Sequence, residues 1–124
     1  MQEQLFFNID KSDGGVHREL APGITTTVFS GEHAQISIVR FAAGAKGTLH
    51  HHPEEQWGHC LSGSGLRFQG EEEVAVKPGD FWRTPGGLPH TMVAGDEGMV
   101  VMDIFAPPRK AYREAGSGFA VEDG

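Results

Sequence analysis

Residues 44–63 read GAKGTLHHHPEEQWGHCLSG, and the spacing of the histidines in this stretch decides the fold. On an extended strand the side chains at i and i+2 share a face, so His50 and His52 point together while His51 points away. The Pro53-Glu54-Glu55 turn then reverses the chain, which lets the amide oxygen of Gln56 approach the same point from a neighbouring strand. Downstream, His90 follows its own Gly-Pro turn and supplies a third imidazole from another strand. Three neutral ring nitrogens and one amide oxygen suit one divalent transition-metal ion such as Zn, Ni, Fe or Mn.

On either side of this stretch the chain reads as short strands joined by tight turns. Ile24 to Phe29 is rich in Thr and Val, and Gln35 to Phe41 alternates. Gly63 to Gln69 and Glu73 to Val76 form a hairpin around Gly70 and an acidic, solvated turn at 71–73. A Pro78-Gly79-Asp80 turn leads to a strand ending at Thr84, and Met99 to Phe105 is the last apolar strand. Residues 1–23 are expected to be an N-terminal arm with little regular structure, residues 24–110 the domain proper, and residues 111–124 a short helix or frayed tail. With 18 Gly and 7 Pro in 124 residues and no long apolar helical stretch, the fold class is all-β.

A formal charge of −7, with 10 scattered basic residues, argues against nucleic acid as a partner. The single cysteine, Cys60, precludes an intrachain disulfide, and the N-terminal MQEQLFFNIDKSD is neither a signal peptide nor a membrane span. The expectation is a cytoplasmic protein with no membrane partner. Glu54 and Glu55 are expected in an exposed turn. His59 lies on the face opposite Gln56, Cys60 shares the parity of Gln56, and Trp57, Phe68, Phe81 and Trp82 are expected in the core or at a dimer interface. One of Arg40, Arg67 and Arg83 is expected to project into the interior to bind a carboxylate.

The residues resemble the cupin family, whose two motifs are G-x5-H-x-H-x3-[E/Q]-x6-G and G-x5-P-x-G-x2-H-x3-N. Gly44, His50, His52, Gln56 and Gly63 match the first, and Gly79, Pro85, Gly87 and His90 match the second; Ala94 stands where the second has Asn. The resemblance implies a double-stranded β-helix, or jelly roll, with the metal in the barrel mouth and a homodimer as the assembly. Gln56 in place of the more usual Glu takes a negative charge away from the metal, which strengthens Lewis acidity and disfavours oxygenase chemistry.

Residues 103–109, DIFAPPR, add a second cluster. Asp103 and Phe105 share a strand face, and an inward Asp beside a Lewis acid is a candidate general acid/base. The H-x-H-P-x-E-Q run together with D-x-F-x-P-x-R resembles the small KdgF-like cupins of pectin and alginate breakdown, which convert ring-closed unsaturated uronates into linear keto forms. That resemblance implies His50, His52, Gln56 and His90 as metal ligands, Asp103 as the catalytic residue, and Phe105 and Arg109 in substrate binding. The expected function is a metal-dependent isomerase or lyase acting on a small anionic, oxygenated molecule. A polyketide cyclase, an Fe-dependent dioxygenase and a non-catalytic small-ligand sensor are the alternatives.

Overall fold

The structure, a computed structural model, describes residues 3–119. Within these residues eight strands make one sheet: β1 (Val16–Ala21), β2 (Ile24–Ser30), β3 (Gln35–Phe41), β4 (Glu55–Gln69), β5 (Glu72–Val76), β6 (Phe81–Thr84), β7 (His90–Ala106) and β8 (Gly116–Ser117). Their order is β5-β4-β7-β3-β2-β1-β8, with β6 off this path, paired to Gln56–His59 of β4 while β5 pairs Gly65–Gln69. Every pairing is antiparallel except that of β1 with β8. The result is the expected all-β jelly roll. Among the described residues no helix is long and apolar enough to cross a membrane.

β4 and β7 are far longer than their apolar runs suggested, at 15 and 17 residues, and they pair along nearly their whole length. Such strands can bend around a barrel only where the ladder gives way, and β4 slips register between Cys60 and Ser62 and again between Gly63 and Gly65. Gly63 and Gly98 face each other across this bend at φ 73° and 72°; a Cβ on Gly63 would fall on the Gly98 carbonyl.

Val16–Ala21, expected in an unstructured arm, is instead the strand β1, paired to β2. Its sequence, VHRELA, puts only Arg18 and Leu20 inside, so hydrophobicity alone does not reveal it. After β7 the chain makes a 3-10 helix (Lys110–Arg113) before β8.

Inward side chains form two apolar clusters. One contains Leu20, Ile24, Val28, Val39, Phe105 and Tyr112; the other contains Cys60, Val76, Met92, Ala94, Met99 and Val101. The alternation along β4, with Gln56, Gly58 and Cys60 inside and Trp57 and His59 outside, carries one polar row into the first half of the barrel.

Candidate metal centre

His50 and His52 do not lie on a continuous strand. They sit in an extended segment joined to β7 by an isolated bridge between His50 and His90, whose backbone N–H groups donate to each other's carbonyls at 3.2 and 2.9 Å, while the Gly87 N–H donates to the His52 carbonyl at 2.8 Å. The i, i+2 geometry survives: His50, His52 and His90 are all buried, and their ligand nitrogens lie within 4.8 Å of one another. Each ring is oriented through Nδ1. His50 donates to the Thr48 carbonyl at 2.6 Å, His52 to that of Glu54 at 3.0 Å and His90 to that of Leu88 at 2.8 Å. A carbonyl oxygen only accepts, so Nδ1 holds the proton and each Nε2 turns a bare lone pair inward.

Burial keeps these rings neutral. It pulls the pKa of His50 and of His52 down to about 4 and that of His90 to about 2, with the Arg67 cation lowering all three further and the Arg109 cation lowering His50 and His52. Neutral imidazoles with Nδ1 anchored on backbone carbonyls are in the protonation state and orientation a metal requires.

Gln56 joins them from β4. Its amide donates to the Asp103 carboxyl, which turns Oε1 toward His52 Nε2 at 2.9 Å. Two acceptors therefore face each other in a buried space, and His90 Nε2 is buried there without a hydrogen-bond partner. A cation resolves both costs at once, so the donor set fits a divalent metal.

Asp103 is brought to the same chamber. Its Oδ1 is sealed from solvent and has no hydrogen-bond partner, and burial drives its pKa up to about 6 against the lowering influence of Arg67, Gln56 and Arg109. It lies opposite Gly58 on β4 and Ser37 on β3, and Ser37 is hydrogen-bonded to Thr26 at 2.5 Å in the interior. Phe105, 2% exposed, meets His52 edge-on at 5.4 Å.

Of the three arginines, Arg67 is the inward one. It donates to Thr84 and Gln69 at 3.0 Å each, lies 5.6 Å over Trp82, and is buried enough for its pKa to fall to about 10. Arg40 and Arg83 are outside, paired with Asp10 at 3.2 Å and Glu55 at 2.9 Å. Arg109 is 1% exposed, stacked 4.2 Å over Tyr112 and 5.5 Å over Phe105.

Glu54 corrects an expectation: it is buried rather than exposed in a turn. Its side chain folds back toward His52, Oε1 lying 3.5 Å from Nδ1, on the side of the ring away from Nε2. The acidic Pro-Glu-Glu run gives no hint of this, because the chain reversal alone carries Glu54 inward. His59 is exposed, on the face opposite Gln56, and Cys60 is 0% exposed among apolar side chains that push its thiol pKa up. Trp57 and Phe81 are surface residues at 40% and 70% exposure, while Trp82 packs against the second core cluster. Tyr112 and Phe119, which sequence reasoning left in the tail, line the chamber beside the histidines.

The fold and the three-histidine centre define the class: the chain belongs to the cupin family, whose Cupin domain model matches residues 37–105. It is 32% identical over 97 residues to the pectin degradation protein KdgF of Dickeya dadantii, covering 76% of this chain and 87% of that protein. The solved structure of KdgF from Halomonas sp. superposes with a TM-score of 0.76 at 26% identity, over 89% of this chain and 98% of that one. Oxalate decarboxylase OxdC of Bacillus subtilis is 31% identical over 97 residues, but this chain spans only 24% of its length. A structure of that decarboxylase described with Mn(II) centres has a TM-score of 0.71 at 24% identity, a likeness of fold.

Proposed function

We propose that the protein is a metal-dependent isomerase that opens ring-closed unsaturated uronates to linear keto acids. The observation that carries the reading is Asp103: a buried carboxyl with its pKa raised to about 6, hydrogen-bonded to the amide that also faces the imidazole cluster. His50, His52, His90 and Gln56 would hold the metal, which when bound supplies Lewis acidity toward a substrate oxygen. The similarity to the KdgF proteins supports a sugar-acid substrate.

The reaction needs one proton moved and no other reactant. As the carboxylate, Asp103 takes the proton of the anomeric hydroxyl; the C1–O5 bond breaks, leaving an aldehyde at C1 and an enolate at C5. Asp103 then returns the proton to C4, and the enolate becomes the ketone. A pKa near 6 lets one group do both transfers at neutral pH. Arg109 and Arg67 supply positive charge for the substrate carboxylate, and Phe105 forms an apolar wall. Gln56 holds the Asp103 carboxyl in place and contributes no charge of its own.

The cytoplasm is the compartment this reading gives the reaction, and a homodimer is the assembly. Trp57, Phe81 and Ile104, 40%, 70% and 37% exposed on the outer face of β4, β6 and β7, support self-association; light scattering on the eluted protein tests it. For the reaction, unsaturated uronate released by a polysaccharide lyase is supplied to the metal-loaded protein, and the linear keto acid is followed by NMR. Wild type is expected to accelerate ring opening, and Asp103→Asn to lose about 10²–10⁴-fold with metal content unchanged. Turnover unaffected in Asp103→Asn would sink the assignment.

A further inference from the structure

The chamber that holds the histidines has room for little more than a water, about 30 Å³, far less than a sugar ring occupies. What fills it is the C-terminal segment. Phe119 stacks on His50 at 4.5 Å between ring centroids and 28° between planes, and its carbonyl accepts a hydrogen bond from Arg109 Nη2 at 2.5 Å. The segment leading to it is tied to the barrel by backbone pairing alone on one side, Gly116 and Ser117 against Arg18 and Glu19, with the Gly118 N–H donating to the Glu19 carbonyl at 2.8 Å. On the other side a single side chain holds it. Arg18 donates to the carbonyls of Ala111, Glu114, Ser117 and Gly118 at 2.9, 3.0, 2.8 and 3.1 Å.

We infer that Gly116–Phe119 is a strap in which Phe119 stands in for substrate: its carbonyl oxygen occupies the place of a substrate carboxylate oxygen on Arg109, and its ring occupies the ground of a sugar ring against His50. This rests on the proposed reading of the site as a centre for carboxylate-bearing substrates. The other apolar walls cannot yield, since Leu20, Phe105 and Tyr112 belong to the core at 5%, 2% and 2% exposure. Phe119 can, because it is only half-buried at the edge of that core, and among the described residues the hydrogen bonds that hold the strap come from the backbone, Arg18 and Arg109, the last being the one a substrate carboxylate would take over. The exchange runs in the substrate's favour. A carboxylate on a guanidinium adds the attraction of opposite charges and can pair through both oxygens, which a neutral carbonyl cannot, so the anion displaces the Phe119 oxygen and the ring leaves with it. Phe119 thereby selects for ligands that bring both a carboxylate and enough bulk to replace a phenyl ring.

Two measurements test this. In the first, metal-free wild type and Phe119→Ala are treated with diethylpyrocarbonate and mapped by mass spectrometry, with exposed His17 and His33 as internal references. His50 is expected to react about tenfold faster in Phe119→Ala, as an uncovered ring should. Equal rates in a variant with an unchanged melting temperature overturn the strap, whatever the substrate is. The second has a wild-type arm that does not depend on the variant folding. Saturating the metal-loaded protein with D-galacturonate is expected to speed hydrogen exchange of the Gly118 amide about tenfold, and Phe119→Ala to bind the same uronate about tenfold tighter. Galacturonate bound with Gly118 exchange unchanged refutes the strap; no galacturonate bound, with His50 uncovered by Phe119→Ala, refutes the uronate reading and leaves the strap standing.

Discussion

Gln56 Oε1 faces His52 Nε2 at 2.9 Å with a lone pair on each atom, because the amide hydrogens are turned to Asp103 and the imidazole proton sits on Nδ1, which donates to the Glu54 carbonyl. The arrangement is costly without a positive charge between the two atoms and favourable with one. One amide thus joins the proposed metal site to the proposed proton-transfer group.

Gln56→Glu should raise Zn(II) or Ni(II) affinity by about tenfold, because a carboxylate adds charge beside the cation. It should also slow turnover, since the new carboxylate repels Asp103 and no longer donates to it. His90→Ala is expected to weaken metal binding by at least about 100-fold, leaving two imidazoles. Competition titration against a chromophoric chelator reads both.

Turnover should rise with pH as Asp103 ionises. Burial raises its folded pKa to about 6, and a bound cation draws it back toward the usual carboxylate range, so the midpoint of the rising limb should lie at or below 6. That limb is expected to vanish in Asp103→Asn. A profile identical to wild type would exclude Asp103 as the group that titrates.

The metal-free protein should lose stability as pH falls from 6.5 through about 4. His50, His52 and His90 have folded pKa values below the ordinary 6.5, so the unfolded chain binds more protons in that window and acid favours unfolding. Asp103, raised to about 6, acts in the opposite sense as pH rises from 3.8, but it is one group against three. Calorimetry should show the melting temperature lower by about 10 °C at pH 5 than at pH 7.5. A higher melting temperature at pH 5 would contradict the burial of these rings.

Gly58→Ala should destabilise the barrel by about 1–3 kcal/mol, because the new methyl would fall on the Trp82 indole, which crosses Gly58 inside the barrel. Denaturant unfolding measures it. Trp82→Phe, which shortens the ring at that point, is expected to recover part of the loss in the double variant.

The sequence by itself determined the β fold and brought out most of the proposed metal donors. Strand parity puts His50 and His52 on one side, turn residues return the chain to Gln56 and His90, and the two glycine-punctuated motifs assign the family; all of this is local, set by backbone periodicity and turn chemistry. Alternation likewise put His59 outside and Asp103 inside. What depends on packing across distant strands was not legible. Val16–Ala21 became a strand only because β2 and β8 flank it, and Glu54 is buried only because the chain reversal folds it behind His52. Only the tertiary structure chose Arg67 over Arg40 and Arg83 and laid Phe119 on His50, 69 residues earlier in the chain. No sequence periodicity encodes such contacts, because they are fixed by the closure of the barrel.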